Sequence, residues 1–172
     1  MSRKQIDAIL WRKYLSATSH AVWEVSSSQY YFELPDADYQ NFFDGNCPSF
    51  TDKDGNQAYT LTLEAFDGQQ AVGPHNVTFA QKRPGAHRAG KWTVDSIRDG
   101  NGRAYELWRR NRGPIDQYLN LPVAEKEKNY ILITRDIEGG FHGRWIRGSD
   151  FDVLPIKIQE KLKSANAGWS KL

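Results

Sequence analysis

Only one cysteine, Cys47, stands among the 172 residues. No intramolecular disulfide can form, and the chain suits a reducing compartment. A zinc site built on several cysteines is excluded for the same reason. No apolar run approaches the ~20 residues that a membrane span needs. The opening MSRKQIDAILW begins basic, but Asp7, Arg12 and Lys13 break its apolar stretch, so it is not the core of a secretory signal. Net charge is small as well, +2 overall. Aromatic residues are not scarce: six Trp, eight Tyr and eight Phe can build a β-rich core and leave rings for stacking. The length predicts a single domain over 1–172 with a real core, and the single cysteine with no span or secretory core points to a soluble, intracellular protein.

Signatures of nuclease chemistry are missing too. A metal-dependent restriction core needs an acid followed by Glu/Asp-x-Lys, to hold Mg²⁺ and activate water. The run EKEK (125–128) offers Glu125-Lys126-Glu127 and no such spacing. A phosphohistidine mechanism needs His-x-Lys. His20, His75, His87 and His142 are followed two places on by Val22, Val77, Ala89 and Arg144. No phosphate-cradling Gly-x-x-x-x-Gly-Lys loop exists. Asp52 and Asp54 in TDKDGNQ look like half of a calcium loop, but no Glu closes it and a polar turn is the better reading. No metal, no cofactor and no catalytic group are therefore expected.

The small net charge hides a steep internal asymmetry. From Lys82 to Arg112 there are nine Lys/Arg against three acids, with His87, two Trp and a Tyr among them. From Glu33 to Gln70 there are eight acids and one base, Lys53. Condensed basic charge on a near-neutral domain is the footprint of a polyanion site, most often nucleic acid. A charge run is commonly just a solvated surface. Gly, Pro and aromatics between the bases point instead to a shaped loop that holds Arg and Lys in place.

Along the chain, Arg3–Leu15 alternates poorly and fits a short helix or a strand, with helix then strand preferred. AVWEVSSSQYYFEL (21–34) reads as strand, loop, strand. Pro35 and Asp36 signal a helix start, after which Tyr39, Phe42 and Phe43 share one face. Residues 44–56 are turn-rich. YTLTLEAF (59–66) alternates as a half-buried strand, and HNVTFAQ (75–81) reads as another strand that leads into the basic loop Lys82–Trp92. GRAYELWRRN (102–111) fits strand or helix. DQYLNLPV and NYILITRD read as strands, and Gly139-Gly140 turns into FHGRWIRG to make a hairpin over 130–147. The last element starts at Pro155, with Ile156, Ile158 and Leu162 near a helix stripe. About seven short strands and two or three helices predict a mainly β barrel or sandwich.

Two further segments bear on recognition. RKYLSATSHAVWEVSSSQ (12–29) sets Arg12, Lys13 and His20 among small hydroxyls, and FHGRWIRG (141–148) sets Arg144 and Arg147 beside Trp145. The first reads equally as an ordinary polar surface turn, and the second equally as a cross-strand salt pattern with a core Trp. A β-domain with two long polar loops can dock them as arms in the major groove. There Arg, Lys, Asn and His read base edges while other bases hold phosphates.

The order of these pieces, LSAT after Arg/Lys, then QYYFELP with an acid-rich helix, YTLTLEAF, VTFAQKR, a basic loop ending GKW and a final VLP, resembles a known family. It is similar to the N-terminal effector domain of EcoRII-like restriction endonucleases, a pseudobarrel shared with plant B-three DNA-binding domains. The similarity runs over roughly residues 7–155 and rests on segment order plus short matches. It implies an open seven-stranded pseudobarrel whose N-arm (16–28) and C-arm (82–92) enter the major groove of double-stranded DNA. The N-arm residues are then Ser16, Thr18, Ser19, His20 and Ser28. Those of the C-arm are Lys82, Arg83, His87, Arg88, Lys91 and Trp92, with Arg12, Lys13, Arg98 and Arg144 as further DNA contacts. Two departures stand out: Pro84-Gly85 interrupts the C-arm charges, and Ser28 falls where the family places a larger polar residue. The resemblance further implies a non-catalytic module of a bacterial, cytoplasmic restriction enzyme, a fragment of a longer chain that carries a catalytic nuclease domain. It also implies a CC(A/T)GG-type site; because a cytosine 5-methyl group lies in the groove the arms would fill, sensitivity to methylation is expected. Two other classes compete: a complete small metal-dependent nuclease, and a protein-interaction domain whose acidic and basic faces meet a partner or each other.

Overall fold

The computed structural model of the chain describes residues 5–13, 31–43, 45–67, 70–96, 128, 130–146 and 149–172. Among these residues nine strands form one sheet: β1 (Ile6–Lys13), β2 (Tyr31–Leu34), β3 (Ser49–Thr51), β4 (Gln57–Asp67), β5 (Gln70–Gln81), β6 (Trp92–Ser96), β7 (Tyr130–Asp136), β8 (Phe141–Ile146) and β9 (Ala167–Lys171). Among the described residues three short helices accompany it: α1 (Gln40–Phe43), α2 (Ser149–Asp152) and α3 (Ile156–Ser164). The strand order is β2-β6-β5-β4-β8-β7-β1-β9, with β3 added on β4. The path from β2 to β1 holds seven strands, and β9 and β3 are additions at its margins. All ladders are antiparallel except β4–β8. The sheet curls into a nearly closed barrel, as the mainly β reading requires.

Where one face of a strand is buried, the sequence alternates. In β4, Tyr59, Leu61 and Leu63 face the core, while Thr60 meets the Thr78 hydroxyl at 3.0 Å and Thr62 donates to Asn76 at 2.8 Å on the other face. β1 behaves differently. Ala8 and Leu10 fill the barrel interior, whereas Ile9 and Trp11 join Tyr130, Leu132 and Ile146 under the two C-terminal helices. A strand buried on both faces reads as a continuous apolar run, which is why Arg3–Leu15 resists periodicity. Of the two readings of this segment, the strand holds over Ile6–Lys13 and the preferred opening helix does not, because β7 on one side and β9 on the other pair with it.

α1 plugs the barrel. Tyr39, Phe42 and Phe43 are fully buried, with the Phe43 ring 4.7 Å from Phe79 and 5.0 Å from Tyr59. Buried Arg135 donates to the Phe42 carbonyl at 2.8 Å and pairs with Asp7 at 2.9 Å, fixing the helix end to the sheet. The β7–β8 hairpin forms as expected. Its turn is pinned by buried Asp136, which accepts from Glu138 N at 2.8 Å and Gly140 N at 3.1 Å. α3 starts at Pro155 and buries Ile158 and Leu162, but Ile156 is exposed and falls off the stripe.

The seam between β2 and the β1–β9 edge of the sheet is closed by side chains. Arg12 Nε donates to the Glu33 carbonyl at 2.5 Å, and Trp169 Nε1 donates to the Asp38 carboxylate at 3.0 Å. The seam brings the end of β1, where the chain passes into residues 14–30, beside the β5–β6 connection.

Candidate nucleic-acid interface

The β5–β6 connection, residues 82–91, is a folded loop. Lys82 N donates to Lys91 O at 2.8 Å and Gly90 N to Lys82 O at 2.9 Å, closing its neck. Inside the neck, consecutive turns run from Ala86 N to Arg83 O, Ala89 N to Ala86 O and Lys91 N to Arg88 O. Gly85 and Gly90 hold positive φ, as does Arg88 at 59°. An L-residue in that region costs about 1–2 kcal/mol, so the surrounding bonds hold Arg88 where it would not settle by itself.

Two supports fix the loop from outside. The first is the 52–56 turn. Buried Asn56 accepts from Arg83 N at 3.0 Å, and its own amide donates to Asp52 at 3.2 Å. Arg83 Nε donates to the Asp54 carbonyl at 3.2 Å, with its side chain lying over Gly55. Partial burial opposes ionisation of Asp52, but donation from Asn56 and Asp54, with the nearby Lys82 ammonium, holds its carboxyl below the ordinary value. TDKDGNQ is thus a polar turn that buttresses the arm. Among the described residues no three His, Cys, Asp or Glu side chains group as a metal site.

The second support is the acidic stretch formed by Glu33 in β2 and Asp36 just after it. Arg88 Nη1 pairs with Glu33 Oε1. The Gly90 backbone lies so close to Asp36 that a Cβ there would stand 2.5 Å from its carboxylate. The acidic and basic regions of the sequence therefore touch here. Arg83, His87, Arg88 and Lys91 remain exposed, and Lys82 is half-buried.

The other expected contacts are distributed unevenly. Trp92 does not face a ligand: it is fully buried, donates from Nε1 to the Ala37 carbonyl at 3.0 Å and packs against Tyr39 and Tyr59. Its size fixes the loop's exit to the core, which corrects its place among the exposed contacts. Arg12 is tied to the Glu33 and Lys13 carbonyls. Burial lowers its pKa, against the pull of Glu33 and Tyr39. It clasps the seam and lines a cleft of about 350 Å³ with Glu33, Leu34, Pro35, Lys91 and Asn166. Lys13 is half-buried, its N–H donating to Asn166 O at 2.6 Å. Arg144, half-buried on β8, lies two strands from Trp11, since Leu132 is the register partner of both. At strand spacing that is ~10 Å of backbone. Ser16, Thr18, Ser19, His20, Ser28 and Arg98 lie outside the described residues.

The structure thus groups Arg12, Arg88 and Lys91 around Glu33, with Arg83 and His87 on the same loop. Sequence reasoning named these cations and missed Glu33, Asp36 and Asn56, which hold them. The Asp-Gly-Asn turn signal marked Asn56 as structured, but its bond to Arg83, across 27 positions, had no local trace. The chain matches no family model, no curated protein and no solved structure.

Proposed function

We propose that this domain binds double-stranded DNA in a sequence-specific way through the major groove, without catalysing a reaction itself. The reading rests foremost on the self-bonded loop 82–91. It carries four cations and no acid and stands beside the exit of β1 into residues 14–30. A loop whose backbone is already fixed presents Arg and Lys with little ordering cost, and shaped cation display is what groove recognition requires. The resemblance to EcoRII-like effector domains extends the proposal. The module would serve a bacterial, cytoplasmic restriction endonuclease, recognise a CC(A/T)GG-type site with unequal contacts from the two arms, and work with a catalytic nuclease domain. No helix among the described residues is long and apolar enough to cross a membrane.

Amide NMR of the chain during titration with a CCTGG duplex tests the reading. The 83–91 amides should shift, and those of the β7–β8 turn at 137–140 should stay. Shifts confined to the helical side of the barrel would refute it. A protein-interaction role is the second reading, favoured by the Arg88–Glu33 pair and the Gly90–Asp36 contact, through which acidic and basic faces screen each other. Unmoved 83–91 amides with any duplex would leave that reading standing.

A further inference from the structure

We infer that Glu33 is a positioning residue that aims Arg88 at a guanine edge and so sets sequence specificity; this deepens the duplex-binding reading and rests on it. The pairing is one-sided. Arg88 meets Glu33 through Nη1 alone, and Nε and Nη2 make no other bond among the described residues. A guanidinium has five donors in a rigid fork, and two parallel N–H groups match the O6 and N7 acceptors of guanine. Held by one nitrogen, Arg88 keeps such a two-donor edge for a ligand. Its side chain is half exposed and that of Glu33 is 24% exposed, so the pair lies where a duplex can reach it.

Both ends of the pair are anchored independently. Glu33 sits in β2, in register with Thr93, and its carbonyl accepts from Arg12. Arg88 is turned toward it by its left-handed backbone and by the Lys91 N to Arg88 O bond. An arginine that is buttressed at one nitrogen and fixed at its backbone loses little freedom when it meets a base. The same carboxylate, together with Asp36 under Gly90, disfavours loose approach of phosphates by like-charge repulsion. Glu33 thus acts twice on the ratio of specific to non-specific binding, raising the first and lowering the second.

The test uses duplexes selected from a random pool by the wild-type chain, each G·C pair changed in turn, beside a scrambled duplex. Arg88→Ala should weaken the selected duplex by roughly ten- to a hundredfold and abolish discrimination at one G·C position. Glu33→Gln should weaken the selected duplex in part, lose discrimination at that same position, and hold or strengthen binding to the scrambled duplex. Glu33→Asp should retain most of the preference. The Arg12 bond to the Glu33 backbone survives these changes, and thermal midpoints verify folding. Equal weakening of all duplexes by Glu33→Gln would make Glu33 merely structural, and tighter binding to the selected duplex would make it only a competitor; either overturns the inference. A wild-type preference that Arg88→Ala leaves intact overturns the inference alone. Absence of any wild-type preference removes the duplex-reading proposal and the inference with it.

Discussion

At the scale of single residues, the loop's shape depends on groups that never reach the surface. Asn56 is the clearest case. Its side-chain oxygen satisfies Arg83 N–H, so Asn56→Ala leaves that donor unpaired and should cost about 1–3 kcal/mol. Urea unfolding checks the cost, and faster amide exchange at Arg83 shows where it falls. Tyr39 works in the opposite sense. Its hydroxyl is buried with no hydrogen-bond partner among the described residues, and burial pushes its pKa up to about 12, against the pull of Arg12. Tyr39→Phe should therefore leave stability at neutral pH unchanged or raised. The raised value means that the folded state keeps the phenol neutral while the unfolded phenol ionises near 10. Wild-type stability from this group is complete below pH 10 and is lost as pH rises toward 12. Urea midpoints at pH 7 and pH 11 should show a smaller alkaline loss in the variant. An equal loss in both would remove Tyr39 from the account.

At the scale of elements, Gly90 shows how closely the arm is docked. Its φ of 85° and its contact with Asp36 both exclude a side chain. Gly90→Ala should lower the thermal midpoint and broaden or shift the 83–91 amide resonances, with the barrel strands unaffected. Unchanged loop resonances would contradict the docking. The legibility of elements follows their burial. β4 was readable because its inward residues alternate with threonines, and the β7–β8 hairpin because apolar strands flank Gly139-Gly140. β1 was readable only as helix or strand because Ala8 to Trp11 are buried on both faces. β3 was missed because all three of its residues are exposed. β9, AGWSK, lacks strand formers beyond Trp169 and exists because β1 offers it an edge.

At the scale of the whole molecule, the charge asymmetry visible in sequence becomes a local arrangement. Basic residues 82–91 stand between the 52–56 turn and the acidic segment beginning at Glu33, at the barrel's seam. Sequence located the cations and the loop; it could not show that Glu33 and Arg88, 55 positions apart, share an ion pair. Nor could it show that Trp92 serves the core. Contacts of that range depend on how the sheet closes, which no local pattern encodes. With the cations already fixed by this scaffold, duplex binding should fall with salt while sequence preference persists, because phosphate contacts release counterions and base contacts do not.

The most direct measurement is a fluorescence anisotropy titration of the chain against a CCTGG duplex and a one-base-changed duplex, at low and moderate salt, without metal. A large preference for the intact site that survives the higher salt is the predicted result. Equal binding to both duplexes that disappears at the higher salt would contradict sequence-specific readout and reduce the loop to a generic basic surface.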